Sequence, residues 1–378
     1  MLVVALHLCS SAGVSAGAAR PLTGERFTLA AAQPLSRQAY RNASMWSWGA
    51  GIVYWPPPPE SDGDGRFHLY GSGMTNGCGL HAWSSNTLVF HATSATVAGP
   101  YTFADVALPV LATSPGPARA PDGTFLLFSM GDRNATLAVP CPGGEPAPRI
   151  HETYFNVRLH RSTSPYGPWT PVLNASGGTV LWRAVNPTPT PWVLPNGTVV
   201  VVGGGTYVAP HWSGPYREVR GPPIAPAANC SADSRSHPGS APGEHCAGED
   251  PFLWFDPRDA RWRWMLHQKL DDAPSPPNAS DPTGHMSQCE WFPATVGYGV
   301  STTEDLWGEW DYDFYRPGTG LHVELAGQQG LYCLGKRERP KMFLHGNRSY
   351  LLNGAAPTVM GKGDTGTFTM IQEVLAIT

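Results

Sequence analysis

The sequence is poor in charge. Asp, Glu, Lys and Arg make up 14% of the 378 residues, well under the roughly 25% of an average globular chain. With a formal net charge of −4, nothing here forms the basic footprint of a nucleic-acid-binding surface. No C-x-x-C pair occurs among the seven cysteines, which excludes the common zinc-finger spacings. Beyond the N-terminus no apolar run reaches the roughly 18 residues needed to span a bilayer. Uninterrupted helix-forming stretches are also missing: 43 glycines and 39 prolines punctuate the chain throughout, and these residues break helices and mark turns.

What is present points outward from the cell. Residues Met1 to Cys9 are apolar and are followed by a Ser/Ala/Gly stretch ending near Ala16 to Ala19. This is the outline of a secretory signal over 1–19, although its basic n-region is absent. Asn-x-Ser/Thr acceptor sites occur at Asn42, Asn134, Asn174, Asn196, Asn229, Asn278 and Asn347, and they matter only in a glycosylating compartment. With Cys9 inside the signal, six cysteines remain: Cys78, Cys141, Cys230, Cys246, Cys289 and Cys333. An even number in an exported chain predicts disulfides and leaves their pairing open. The expected location is extracellular or in the lumen of the secretory pathway.

One pattern recurs five times. Turns fall near positions 62, 122, 196, 257 and 346, each leading into an alternating apolar run such as Thr124 to Phe128 or Arg261 to Leu266. Asp-Gly and Asn-Gly supply the positive φ of a tight hairpin turn. Upstream strands include 51–55, 191–194, 252–255 and 341–344, with a poorer copy at 117–120. Small polar residues, a Gly-Pro turn and an aromatic follow most hairpins, as in Gly99-Pro100-Tyr101 and Gly167-Pro168-Trp169. Repeats of about 60 to 90 residues suit four-stranded blades. The predicted fold is all-β, a five-bladed β-propeller forming one domain over 20–378, with its core at about 45–356. Long loops near 221–247 and 271–296 decorate it. A β-sandwich shares many of these signals.

Residues just before each upstream strand would face the central channel. They read Trp46-Ser47-Trp48, Thr113-Ser114-Pro115, Asn186-Pro187, Glu249-Asp250-Pro251 and Glu338-Arg339-Pro340. On the Asn186-Pro187, Glu249-Asp250-Pro251-Phe252-Leu253-Trp254 and Arg337-Glu338-Arg339-Pro340 segments, the sequence resembles five-bladed propeller glycoside hydrolases of the family 43 and invertase type. The resemblance covers roughly residues 45 to 356. It implies a secreted protein that hydrolyses or binds a polysaccharide or glycan in the channel. Glycoside hydrolysis needs two carboxyl groups across the scissile bond, and Glu249, Asp250 and Glu338 are the catalytic candidates. Trp46, Trp48, Asn186, His267, His285, Arg337 and Arg339 are candidate substrate contacts.

The resemblance also shows what is missing. The family places an Asp, an Asp and a Glu in its first three blades, where this sequence has Trp46-Ser47-Trp48, Thr113-Ser114-Pro115 and Asn186. A non-catalytic carbohydrate-binding propeller and an extracellular interaction scaffold are therefore alternatives to an enzyme. Plainer roles also fit single residues: Glu249 and Glu338 as ion-pair partners of Arg339 or Lys336, Asp250 as a strand-entry cap, His267 as a core histidine. The reaction requires no cofactor, and a structural calcium in the channel is compatible with it. The expected partner is a carbohydrate, with no nucleic acid and no membrane span.

Overall fold

The computed structural model describes residues 26–57, 65–131, 141, 155–184, 187–219, 249–267, 296–313, 318–357 and 365–377. The expected signal segment 1–19 lies outside these residues, as do the loops at 221–247 and 271–296. Within them the fold is an all-β propeller of five antiparallel blade sheets, with a separate two-stranded ladder of His322–Glu324 and Leu331–Cys333. Their inner strands are Ser47–Trp55, Thr113–Arg119, Thr190–Val193, Glu249–Asp256 and Lys336–His345. Each touches the next around the ring, and the fifth returns to the first.

Local turn chemistry builds the blades. In blades 2 and 3 the Pro-Asp-Gly-Thr and Pro-Asn-Gly-Thr turns carry Gly123 and Gly197 at φ 89° and 88°. Asp122 and Asn196 each accept the backbone N–H two residues on, from Thr124 at 2.9 Å and Thr198 at 3.0 Å. This Asx arrangement closes the loop before the strand begins. Blade 5 turns on Gly346, between the paired residues His345 and Arg348. The Gly-Pro segments connect third to fourth strands in blades 1 to 3, with cis bonds at Gly99-Pro100, Gly167-Pro168 and Gly214-Pro215. In blade 2 the fourth position is divided between two short pieces, Thr170–Pro171 and Trp182–Ala184.

Ring closure uses strands outside the 45–356 stretch in which the repeats are readable. Phe27–Leu29 pairs antiparallel with Phe368–Ile377 and supplies the outermost strand of blade 5. The blade made from both ends of the described chain locks the circle, since opening it requires breaking that ladder.

Blades 1, 2 and 3 approach closely at the axis because glycine faces proline. A Cβ on Gly51 would lie 2.6 Å from Pro117 Cδ, and one on Gly116 2.5 Å from Pro191 Cδ. Outside the axis, apolar clusters fill the seams. Val53 and Tyr70 of blade 1, for example, pack against Phe125 and Leu127 of blade 2.

Two features of the blade 1 to blade 2 region have measurable consequences. Cys78 and Cys141 form a disulfide at a sequence separation of 63; Cys333 is disulfide-bonded as well. Replacing both Cys78 and Cys141 by alanine is expected to cost about 2–5 kcal/mol in denaturant unfolding, because the bridge restricts the unfolded chain. A loss below about 0.5 kcal/mol would contradict this.

Nearby, His68 Nδ1 and His91 Nε2 share a hydrogen bond at 2.8 Å, and His91 Nδ1 meets Asp105 Oδ2 at 3.1 Å. Both rings are fully buried. Burial pushes His68 down to about 3, with His91 and Arg66 adding to it; burial also lowers His91, against the pull of Asp105. Burial lowers His160 of blade 2 to about 4. An unfolded histidine titrates near 6.5, so below that pH the unfolded chain binds more protons than the native one. Stability should therefore fall as pH drops from about 6.5 toward 4. Chemical denaturation across this range checks it, and His68→Gln should flatten the slope.

Candidate functional site

Four of the five blades carry the same distortion at the start of the inner strand. The ladder register slips between Trp48 and Gly51, Thr113 and Gly116, Glu249 and Phe252, and Glu338 and Lys341. Inside each slip one residue takes a left-handed backbone: Gly49 at φ 61°, Ser114 at 51°, Asp250 at 57° and Arg339 at 54°. Blade 3 has Thr188 at φ 26°, two residues before its inner strand. Ser114, Thr188, Asp250 and Arg339 each precede a proline. Proline has no N–H to continue the ladder, so the strand bulges there and re-aims the preceding side chain. A non-glycine residue in this region costs on the order of 1 kcal/mol, and four of the five positions bear that cost.

The five positions stand one per blade in a ring about the channel, and the side chains of Ser114, Asp250 and Arg339 meet there. Arg339 Nε lies 3.4 Å from Asp250 Oδ1, in a pair 8% and 7% exposed respectively. Arg339 Nη1 donates to Ser114 Oγ at 2.7 Å, and its guanidinium lies 5.8 Å above the Trp83 ring. Ser114 N–H in turn donates to Ser72 Oγ at 2.9 Å. At Gly49 both the positive φ and the space demand glycine, because a Cβ would lie 2.6 Å from Arg339 Cδ. Lys341 follows two residues later and is buried; its Nζ donates to Pro115 O at 2.6 Å and reaches Gly49 O at 3.5 Å. Burial pushes its pKa down to about 7, Arg339 lowers it further and Asp250 opposes them.

Next to this ring lies a cavity of about 230 Å³, lined by all five inner strands from Gly51, Gly116, Thr190, Phe252 and Lys341 onward. Among the described residues no group of three or more His, Cys, Asp or Glu side chains could hold a metal ion.

The expected catalytic carboxylates come together in part. Asp250 is a ring residue, committed to Arg339. Glu249 and Glu338 each stand one residue before a ring position, on the neighbouring inner strands of blades 4 and 5. Glu249 pairs in register with His267, which is half-buried at the end of Arg261–His267; the Glu249 side chain lies outside the described part. Glu338 is half-buried, and its carbonyl accepts from Asn353 Nδ2 at 3.5 Å.

The expected substrate contacts divide. Arg339 is in the ring. Arg337, 1% exposed, points elsewhere: it donates to Asn353 Oδ1, Gly320 O and Gln372 Oε1 at 3.0, 3.1 and 2.8 Å. With all three guanidinium nitrogens donating inside the protein, it holds blade 5 together and is no sugar contact. Trp48 is likewise a core residue, 1% exposed and packed with Met74 and Leu80, while Trp46 is half-buried beside it. Asn186 and His285 lie outside the described residues.

Among the described residues of blade 3, the one non-glycine residue with a left-handed backbone is Thr188. A regular spacing in the sequence identifies it. Seven positions after Gly49, Ser114, Thr188, Asp250 and Arg339 come Pro56, Pro121, Pro195, Pro257 and Gly346, at the hairpin connections. Counting back from the turn thus finds Ser114 and Thr188, and it separates two adjacent X-Pro dipeptides. The role of Lys341 carried no comparable local signal.

No family model matches the sequence, and neither does any curated protein. Solved structures do. A family 43 β-xylosidase/α-arabinofuranosidase from a compost microbial metagenome, solved with xylotriose in a calcium-free form, is 12% identical with a TM-score of 0.50. That match covers 93% of this chain and 94% of the other. A family 43 enzyme from Xanthomonas citri, complexed with xylotriose, is 13% identical at a TM-score of 0.48, covering 91% and 88%. A family 43 protein from Bacillus licheniformis is 11% identical at a TM-score of 0.48; the match covers 91% of this chain but 54% of that one, so this chain spans about half its length. The five-bladed propeller is thus the fold of family 43 glycoside hydrolases, at identities that speak for the fold alone.

Proposed function

We propose that this is a secreted carbohydrate-binding propeller that recognises an extracellular glycan at the ring end of the channel and does not hydrolyse it there. The observation that carries this reading is the composition of the ring. Gly49, Ser114, Thr188, Asp250 and Arg339 include one carboxylate, and it is held by an arginine. Cleavage needs one carboxyl to stay protonated and a second to be ionised across the bond. A guanidinium beside an aspartate favours its ionised form, which cannot supply the proton, and these five positions offer no second carboxyl. The fold shared with family 43 hydrolases supports a sugar as the ligand, since those from the compost metagenome and Xanthomonas citri were solved with xylotriose.

A second reading keeps catalysis and rests on the placement of Glu249 and Glu338 at one end of the channel, on adjacent inner strands. A glycan array combined with a panel of chromogenic glycosides separates the two. The binding reading expects retained glycans and no turnover by the wild type. Turnover that Glu338→Gln abolishes while leaving glycan binding intact would establish the hydrolase instead. An array with no retained glycan would overturn both.

A further inference from the structure

The cavity beside the ring has its own chemistry. Its walls are largely apolar, with Ile52, Pro117, Trp192, Phe252, Met342 and Phe343 among them, and Tyr54, Arg119 and Thr190 add polar groups. Lys341 stands where cavity and ring meet. It lines the cavity together with Gly51 and Pro117, and a Cβ on Gly51 would lie 3.8 Å from Nζ. The carbonyls that Nζ reaches, those of Pro115 and Gly49, belong to residues on the ring side that do not line the cavity. An ammonium carries three donors, and these two oxygens take two of them.

The charges acting on Lys341 are Arg339 on its own strand and Asp250 on the inner strand of blade 4, and Arg119 of blade 2 also lines the cavity. Asp250 is already paired with Arg339, so a protonated Lys341 adds a positive charge that this group does not balance. A buried charge next to apolar walls is stabilised by a ligand that brings an opposite charge on an apolar body.

We propose that this cavity is a binding site for a small amphipathic monocarboxylate, with its head group accepting from Lys341 Nζ and its body against Trp192, Phe252 and Phe343. The site is separate from the ring end at which we place glycan recognition, and either reading can fail without the other. The largely apolar walls disfavour a polyhydroxylated ligand here, because most of its hydroxyls would lose water without finding partners. Bound carboxylate favours the ammonium form of Lys341, whose pKa in the free protein is about 7. Binding is therefore accompanied by proton uptake at and above neutral pH.

Hexanoate and its uncharged counterpart hexanol are suitable probes, titrated calorimetrically into the full chain at about pH 6 and about pH 9. At the lower pH hexanoate is expected to bind about tenfold or more tighter than hexanol, the worth of a charge-assisted hydrogen bond. The preference should shrink at the higher pH, and Lys341→Met should abolish it. Equal affinities for the two probes, a preference independent of pH, or no binding of hexanoate by the wild type would each overturn the proposal. If Lys341→Met does not fold, the wild-type comparison at the two pH values decides alone.

Discussion

Replacing Arg339 by methionine is expected to destabilise the protein by about 3–5 kcal/mol, the usual loss when one partner of a buried ion pair is removed. The substitution strands the Asp250 carboxylate at 7% exposure, with its arginine gone. It also removes the bond to Ser114 and the stacking on Trp83. The informative comparison is the double replacement with Asp250→Asn, which takes away the stranded charge. It should recover a large part of the loss, giving a coupling energy of at least about 1 kcal/mol in a denaturation cycle. Additive effects of the two changes would mean that the pair does not organise the ring. The same cycle tests whether Asp250 is committed to Arg339, the observation on which the ring is assigned to binding rather than hydrolysis.

The second large effect is a pH dependence set by Lys341. The unfolded side chain titrates near 10.4, and the native one near 7. Between these values the unfolded chain binds more protons than the native state, so stability rises with pH across that window. Below about pH 7 the full penalty of a buried ammonium is present; above about pH 10.5 it is gone. A separation of this size corresponds to on the order of 4 kcal/mol. Lys341→Met should remove this contribution to the slope of unfolding free energy between pH 7 and 10 while leaving the histidine-dependent slope below pH 6.5. An unchanged slope above pH 7 in the variant would show that the amine is not held at low pKa.

The architecture was legible because its signals are local. A hairpin turn needs positive φ within a few residues, and Gly123, Gly197 and Gly346 stand where the pattern requires them. The Gly-Pro-aromatic segments marked the outer strands for the same reason. The site was legible only in part. Asp250 and Arg339 were recognisable as polar residues before proline, but Asn186-Pro187-Thr188-Pro189 offers two such dipeptides in a row. Residue type cannot choose between them; the seven-residue distance to the turn can, and it selects Thr188. Arg337 and Trp48 were credible site residues by type, and burial within blade 5 and the blade 1 core removes them from that role.

By itself, the sequence determined the repeating unit: turn, strand polarity and the proline that interrupts the inner ladder in blades 2, 4 and 5, all consequences of backbone chemistry acting over a few residues. Only the tertiary structure decided what those units make when the circle closes. Phe27–Leu29 joins Phe368–Ile377, Arg339 reaches Ser114 across 225 positions, and Lys341 comes to rest between the ring and an apolar cavity. No local preference encodes such meetings, because they follow from five twisted sheets packing about one axis. That closure brings an aspartate, an arginine and a lysine together out of water, and leaves a single paired carboxylate in the ring.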